Sequence, residues 1–172
     1  MIYNFNTDFN QDTLDKFIDF VNSSGDSPID VYINSNGGST WCSQVMLDII
    51  ESSPEKFTLT AYGQLGSSAF SLFFKASCER KILPTCIGVY HQAKMRIDVN
   101  FSSKPYGKDD EAFVNALRED FDNDLVFVKS LKFSEHELSR YLEGQDVFFQ
   151  YDRLKSFLDV SDSQKLKLKS QN

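Results

Sequence analysis

The apolar positions change period along the chain. Met1 to Phe5 alternates and predicts a first strand, and Asn10 to Val21 carries Leu14, Phe17, Ile18 and Val21 on one helical face. Gly25 and Pro28 then break the chain. Ile29 to Ile33 is a β-branched apolar run that predicts a central parallel strand, leading into Asn34-Ser35-Asn36-Gly37-Gly38-Ser39. Cys42, Val45, Met46, Ile49 and Ile50 form the next helical face, stopped by Pro54. Phe57 to Tyr62 predicts a third strand, followed by a Gly- and Ser-rich turn and an apolar helix from Ser68 to Ala76.

Beyond it, Glu79-Arg80-Lys81 reads as a polar turn, and Ile87 to Tyr90 as a strand that delivers His91. Lys94 to Phe101 alternates as a half-exposed ribbon, and Ser102 to Gly107 is a loop. The longest helix is expected over Asp109 to Leu131, with Phe113, Leu117, Phe121, Leu125 and Val128 as its stripe. Ser134-Glu135-His136-Glu137 fits a capping box for a short helix ending near Gly144. Gln145 to Phe149 is strand-like and carries Asp146; Tyr151 to Phe157 predicts a last helix, and Leu158-Asp159-Val160 an edge strand. Ser161 to Asn172 reads as a frayed polar tail. One domain over residues 1–160 follows, with the tail at 161–172 and no repeat or linker. Strands alternating with helices over crossover-length connections predict an α/β fold with a parallel sheet, whose sites gather at the C-terminal ends of strands.

Composition narrows the function. With 41% hydrophobic residues in 172, the chain can bury one sizeable core. A net charge of −7 argues against a nucleic-acid partner. No apolar run approaches the length of about 18 residues that spans a bilayer, so no membrane partner is expected. The N-terminus lacks a basic-then-apolar leader pattern, which points to the cytoplasm. Cys42, Cys78 and Cys86 are odd in number with no CxxC spacing, against a disulfide framework or zinc site; no metal or cofactor is expected.

The stretch Tyr62-Gly63-Gln64-Leu65-Gly66-Ser67-Ser68-Ala69-Phe70 joins a strand to a helix, where free N–H groups and the helix dipole favour an oxyanion. A plain serine N-cap is the alternative. Other stretches bear on the choice. Ile33-Asn34-Ser35-Asn36-Gly37-Gly38-Ser39 resembles the INSPGGS turn of the ClpP-type serine peptidases, with Asn36 in the proline position. Gly63 to Ala69 resembles that family's nucleophile segment, Tyr90-His91-Gln92 its IHQP element, and Asp146-Val147-Phe148-Phe149 its D-x-F-M run. The resemblance spans Ile2 to Asp159 and implies a ClpP/crotonase-like fold: a parallel sheet, flanking helices and a protruding handle helix, the handle region lying at about 94–132.

The resemblance also implies a Ser67 nucleophile, a His91 base, an Asp146 orienting carboxylate, and an oxyanion hole from the N–H groups of Gly38 and Ser68. This is the set that acyl transfer requires. Implied with it are peptide or unfolded-protein substrates, a homo-oligomeric ring, and an ATP-driven unfoldase or a full-length ClpP partner. The departures are Ala93 for proline, Leu65-Gly66 for Ala-Ala, the bulky Phe70, and Lys94 to Val99 in place of the Gly-rich strand that holds substrate. Only Met1 precedes the first strand, so the family's axial N-terminal segment is expected to be missing and the peptidase to act without ATP.

Several readings compete. A ClpP-like subunit with an idle triad would bind peptide or join an assembly, and a crotonase-like acyl-CoA enzyme would share the fold. A serine–lysine peptidase would not use His91. Ser68 is the rival nucleophile, while His136 reads as structural. Cys86, five residues before His91, would face away from it. The acidic residues Glu119, Asp120, Asp122 and Asp124 read as a solvated helix face.

Overall fold

The computed structural model describes residues 1–92 and 108–169, leaving aside the side chains at 108–114, 117 and 164–169. The strands are β1 (Ile2–Phe5), β2 (Ile29–Ser35), β3 (Phe57–Gly66), β4 (Glu79–Ile82), β5 (Ile87–Tyr90) and β6 (Val147–Phe149). The helices are α1 (Gln11–Ser23), α2 (Thr40–Glu51), α3 (Ser67–Lys75), α4 (Lys108–Ser130), α5 (Glu135–Leu142) and α6 (Tyr151–Lys169). They form an α/β fold around one sheet of order β1-β2-β3-β5-β6, with β4 also paired to β3. Among the described residues all the strand pairings are parallel except β5 with β6.

β2 lies between β1 and β3, and its Ile29, Val31 and Ile33 are buried while Asp30 is exposed. β3 is the spine. Its first half pairs with β4 and its second half with β5, so one strand serves two neighbours in succession. It runs past Tyr62, where the sequence predicts a turn, because Gly63 makes a bulge and not a bend. Ile33 faces Ala61 but Ser35 faces Leu65, so β3 gains two residues on β2. Gly63 takes φ +59, and Asn34 Oδ1 accepts the Gln64 N–H at 2.8 Å, which lets the strand resume.

The helices begin as their sequences dictate. Asn10 caps α1 in a capping box with Thr13, and Ser134 and Glu137 form the expected box on α5. Two expectations fail. The triplet Glu79-Arg80-Lys81 belongs to β4, because the Arg80 side chain is drawn inside: it donates to the carbonyls of Phe73 and Phe74 at the end of α3 and pairs with Asp162. That ion pair also explains the second correction. Leu158 to Val160 is not an edge strand, since α6 continues through Lys169. The expected ribbon at Lys94 to Phe101 and the loop at Ser102 to Gly107 lie outside the described residues, and with them the strand expected to hold substrate.

An aromatic cluster joins the helices to the sheet. Phe70, fully buried, meets Phe74, Tyr90, Phe127, Phe149 and Phe157 with ring centroids 4.6–6.5 Å apart. The bulk at this position is therefore a core anchor, contributing on the order of 0.5–1.5 kcal/mol per ring pair beyond area burial.

Candidate active site

The sheet topology carries the expected site residues to one end. Ser67 follows Gly66, the last residue of β3, and His91 follows Tyr90, the last of β5. Asp146 precedes Val147, the first residue of β6. Because β6 is antiparallel to β5 and Tyr90 faces Val147, His91 and Asp146 are the next positions out on two adjacent strands. Neighbouring strands lie about 4.8 Å apart. β3 is parallel to β5 with Gly66 opposite Val89, so Ser67 emerges at the same end of the sheet.

Ser67 sits at φ +49, in the left-handed region that a residue with a Cβ rarely occupies. The cap of α3 is Gly66, with no side-chain capping bond, so Ser67 is the first helical residue and its hydroxyl is not used as a cap. Among the described residues its Oγ has no hydrogen-bond partner. Ser68 differs: it is buried, and its Oγ donates to the Gly38 carbonyl at 3.3 Å. Of the two serines, Ser67 is the accessible one.

The second Gly-rich turn lies directly against this junction. A Cβ on Gly37 would stand 2.6 Å from Ser67 Cβ, 2.8 Å from the Gly66 carbonyl and 3.1 Å from Ser68 N. Gly37 itself is at φ +110, so only glycine can approach this way. The turn is tied from behind: Phe9 N–H donates to the Gly37 carbonyl at 2.7 Å and Ser39 N–H donates to the Phe9 carbonyl at 2.8 Å. The N–H of Gly38 stays outside that ladder. The N–H of Ser68, second residue of α3, has no intrahelical acceptor. Beside the turn is a polar recess of about 250 Å³ lined by Asn6, Asp8, Asn34, Asn36 and Gln64 among others.

His91 is half-buried, and its Nδ1 lies 2.7 Å from the carbonyl of Gln92. With the proton on Nδ1 donated to that carbonyl, Nε2 keeps its lone pair. The Asp146 carbonyl accepts from Arg140 Nη2 at 3.0 Å. Cys86 is buried, and burial pushes its thiol up to about 11, so it stays protonated near neutrality. Among the described residues no three His, Cys, Asp or Glu side chains gather to hold a metal ion, and no helix is long and apolar enough to cross a membrane.

Comparison with known proteins bears on this geometry. The family model for Clp protease matches residues 3–103, more than half of the chain. The chain belongs to the Clp protease family. Among solved structures, a point mutant of ClpP1 from Listeria monocytogenes shares the fold with a TM-score of 0.61. The two are 18% identical, over 91% of this chain and 86% of that one. A search of curated proteins gives no match. At family level the chain thus stands among the ClpP-type peptidases.

One part of this Clp-family site escapes sequence reasoning. Asp124 of α4 is not on a solvated face: it accepts hydrogen bonds from the hydroxyls of Tyr90 and, at 2.5 Å, Tyr141. Tyr90 Oη also lies 2.9 Å from Ser71 Oγ. Burial first, and then the Asp124 charge, holds the Tyr90 hydroxyl well above its ordinary range; burial and the Asp124 hydrogen bond do the same for Tyr141. Gln92 Nε2 donates to the Tyr141 carbonyl at 2.8 Å. Only the sequence adjacency of Tyr90 and His91 hints at this network.

Proposed function

We propose that the chain is a serine endopeptidase acting on peptides or unfolded proteins through an acyl-enzyme. The observation that carries this reading is the strained, uncapped Ser67 at the head of α3, with the Gly37 backbone against it and His91 and Asp146 at the same sheet end. Ser67 Oγ attacks the scissile carbonyl carbon and gives its proton to His91 Nε2. The oxyanion is received by the N–H groups of Gly38 and Ser68, and His91 then protonates the leaving amine. Water, activated by the same imidazole, releases the acyl group. The Gln92 carbonyl fixes the imidazole tautomer that this requires, and Asp146, next to His91 across the strand pair, supplies the charge that steadies the imidazolium. Replacing Ser67 by Ala is expected to lower turnover by about 10³–10⁶-fold and to abolish labelling by a fluorophosphonate probe. Turnover equal to wild type in that variant overturns the reading.

Lys94 to Val99, standing where the family has its Gly-rich substrate-holding strand, favours a second reading, a non-catalytic subunit of a peptidase assembly. In that case the wild-type chain takes no fluorophosphonate label. Either reading includes a homo-oligomer, ring-shaped by family resemblance. Its support is the apolar side of the β5–β6 pair, where Phe148 is 66% and Ile87 52% exposed. Sedimentation at micromolar concentration is expected to show an assembly, and a monomer there refutes it.

A further inference from the structure

Two chain segments set where the His91 imidazole can point, and both converge on one carboxylate. In front of His91 is Tyr90, 3% exposed, whose hydroxyl donates to Asp124 Oδ1. Behind it is Gln92, whose carbonyl lies at His91 Nδ1 and whose side-chain amide donates to the carbonyls of Tyr141 and Leu142 at 2.8 and 3.3 Å. Tyr141, fully buried, donates its own hydroxyl to Asp124 Oδ2. The rings of Tyr90 and Tyr141 are stacked, 9° from parallel with centroids 6.0 Å apart. A single acceptor with two oxygens therefore satisfies two buried hydroxyls, and holds β5 and α5 in fixed relation on either side of the histidine.

We propose that Asp124 is a positioning residue for His91, acting through Tyr90 on one side and through Tyr141 and Gln92 on the other. The inference rests on the reading of His91 as the general base, but its geometric content can be tested without turnover. An apolar residue at 124 would leave the buried Tyr141 hydroxyl without its acceptor and the Tyr90 hydroxyl with Ser71 Oγ alone. They would rotate or draw in water, Tyr141 would shift against Tyr90, and the Gln92 carbonyl would leave His91 Nδ1. An asparagine would keep the arrangement: its carbonyl accepts from one tyrosine and its amide donates to the other hydroxyl oxygen.

The experiment uses the full chain labelled with ¹⁵N-histidine. The chain has two histidines, so a His136→Gln variant assigns the imidazole signals. Wild type is expected to show neutral His91 protonated on Nδ1. Asp124→Ala is expected to shift His91 to a mixture of tautomers and to lower kcat by about 10–100-fold with KM changed less than about 3-fold. Asp124→Asn should restore both. Tyr141→Phe, which keeps the buried ring, gives a second route should Asp124→Ala not fold, and is expected to shift the tautomer in the same direction. An unchanged tautomer in Asp124→Ala, or in Tyr141→Phe where that variant stands in, overturns the proposal. So does an Asp124→Asn protein as impaired as Asp124→Ala. If wild type shows no turnover, the peptidase reading fails, while the imidazole signals still decide whether Asp124 orients His91.

Discussion

Ser67 and His91 are held by different means. Around Ser67 the geometry is built from main chain: the Gly37 backbone lies against Ser67 Cβ and the Gly66 carbonyl, and Phe9 ties the turn from behind through two backbone hydrogen bonds. Around His91 it is built from side chains, namely Tyr90, Asp124, Tyr141 and Gln92. A backbone-built corner cannot relax without moving strands, and so it can store the cost of a left-handed serine, on the order of 1–3 kcal/mol. A side-chain-built corner is satisfied or broken one hydroxyl at a time. The two halves of the site should therefore fail differently: the first abruptly, the second by degrees.

The most damaging change belongs to the first half. Gly37→Ala places a Cβ 2.6 Å from that of Ser67 at a φ of +110, so the turn must move. Turnover is expected to fall by about 100-fold or more, as for misplacement of a reacting group. Stability should drop by about 1–3 kcal/mol from the strain and overpacking. Steady-state kinetics beside urea melts check both, and wild-type turnover in the Gly37→Ala variant would show that the turn is not rigid. The Asp124 variants should fall next in size, with a graded loss.

The smallest effect is pH-dependent and concerns the support of α5. Glu137 on that helix is bound by Arg153 of α6, with Nη2 to Oε2 at 2.5 Å and Nε to Oε1 at 2.7 Å. Burial works against the carboxylate, but the Arg153 and Ser134 hydrogen bonds prevail and hold Glu137 below its ordinary value of 4.5. The folded value lies below the unfolded one. The stabilisation is thus fully present above the ordinary glutamate range and is lost as the pH falls through the lowered value. Glu137→Gln should cost about 1 kcal/mol or less at neutral pH and nothing once wild-type Glu137 is itself protonated, as melts across the acid range would show. An equal loss at every pH would assign the effect to the capping box instead.

The same contrast explains what can be read in advance. Gly37, Gly38, Ser67, His91 and Asp146 are expected from the family resemblance of their motifs, and the strand order carries Ser67, His91 and Asp146 to one sheet end. Asp124 is not legible: in an acidic run on a long helix, nothing local marks the one carboxylate that two distant tyrosines reach. Gly63 misleads because a bulge glycine and a turn glycine look alike until the partner strand is known. Leu158 and Val160 mimic a strand over three residues. Yet Leu154, Phe157, Leu158 and Ser161 are the inward positions of one helix face, with Leu158 the least buried of them. The Asp162 partner that holds the helix inward lies 82 residues from Arg80.

That separation has a bearing on synthesis. Arg80, whose side chain is 1% exposed, enters the interior beside β4 with a carboxylate from α6. On the ribosome, β1 to β4 and the helices between them emerge before α6. During that interval the guanidinium has only the carbonyls of Phe73 and Phe74 to meet, and burying it without a counter-charge is costly. The β4 margin of a nascent chain is then expected to stay open to solvent until Asp162 has been made. A ribosome-stalled chain ending between Gly144 and Asp162 would leave Arg80 accessible, while release of the finished chain would close it.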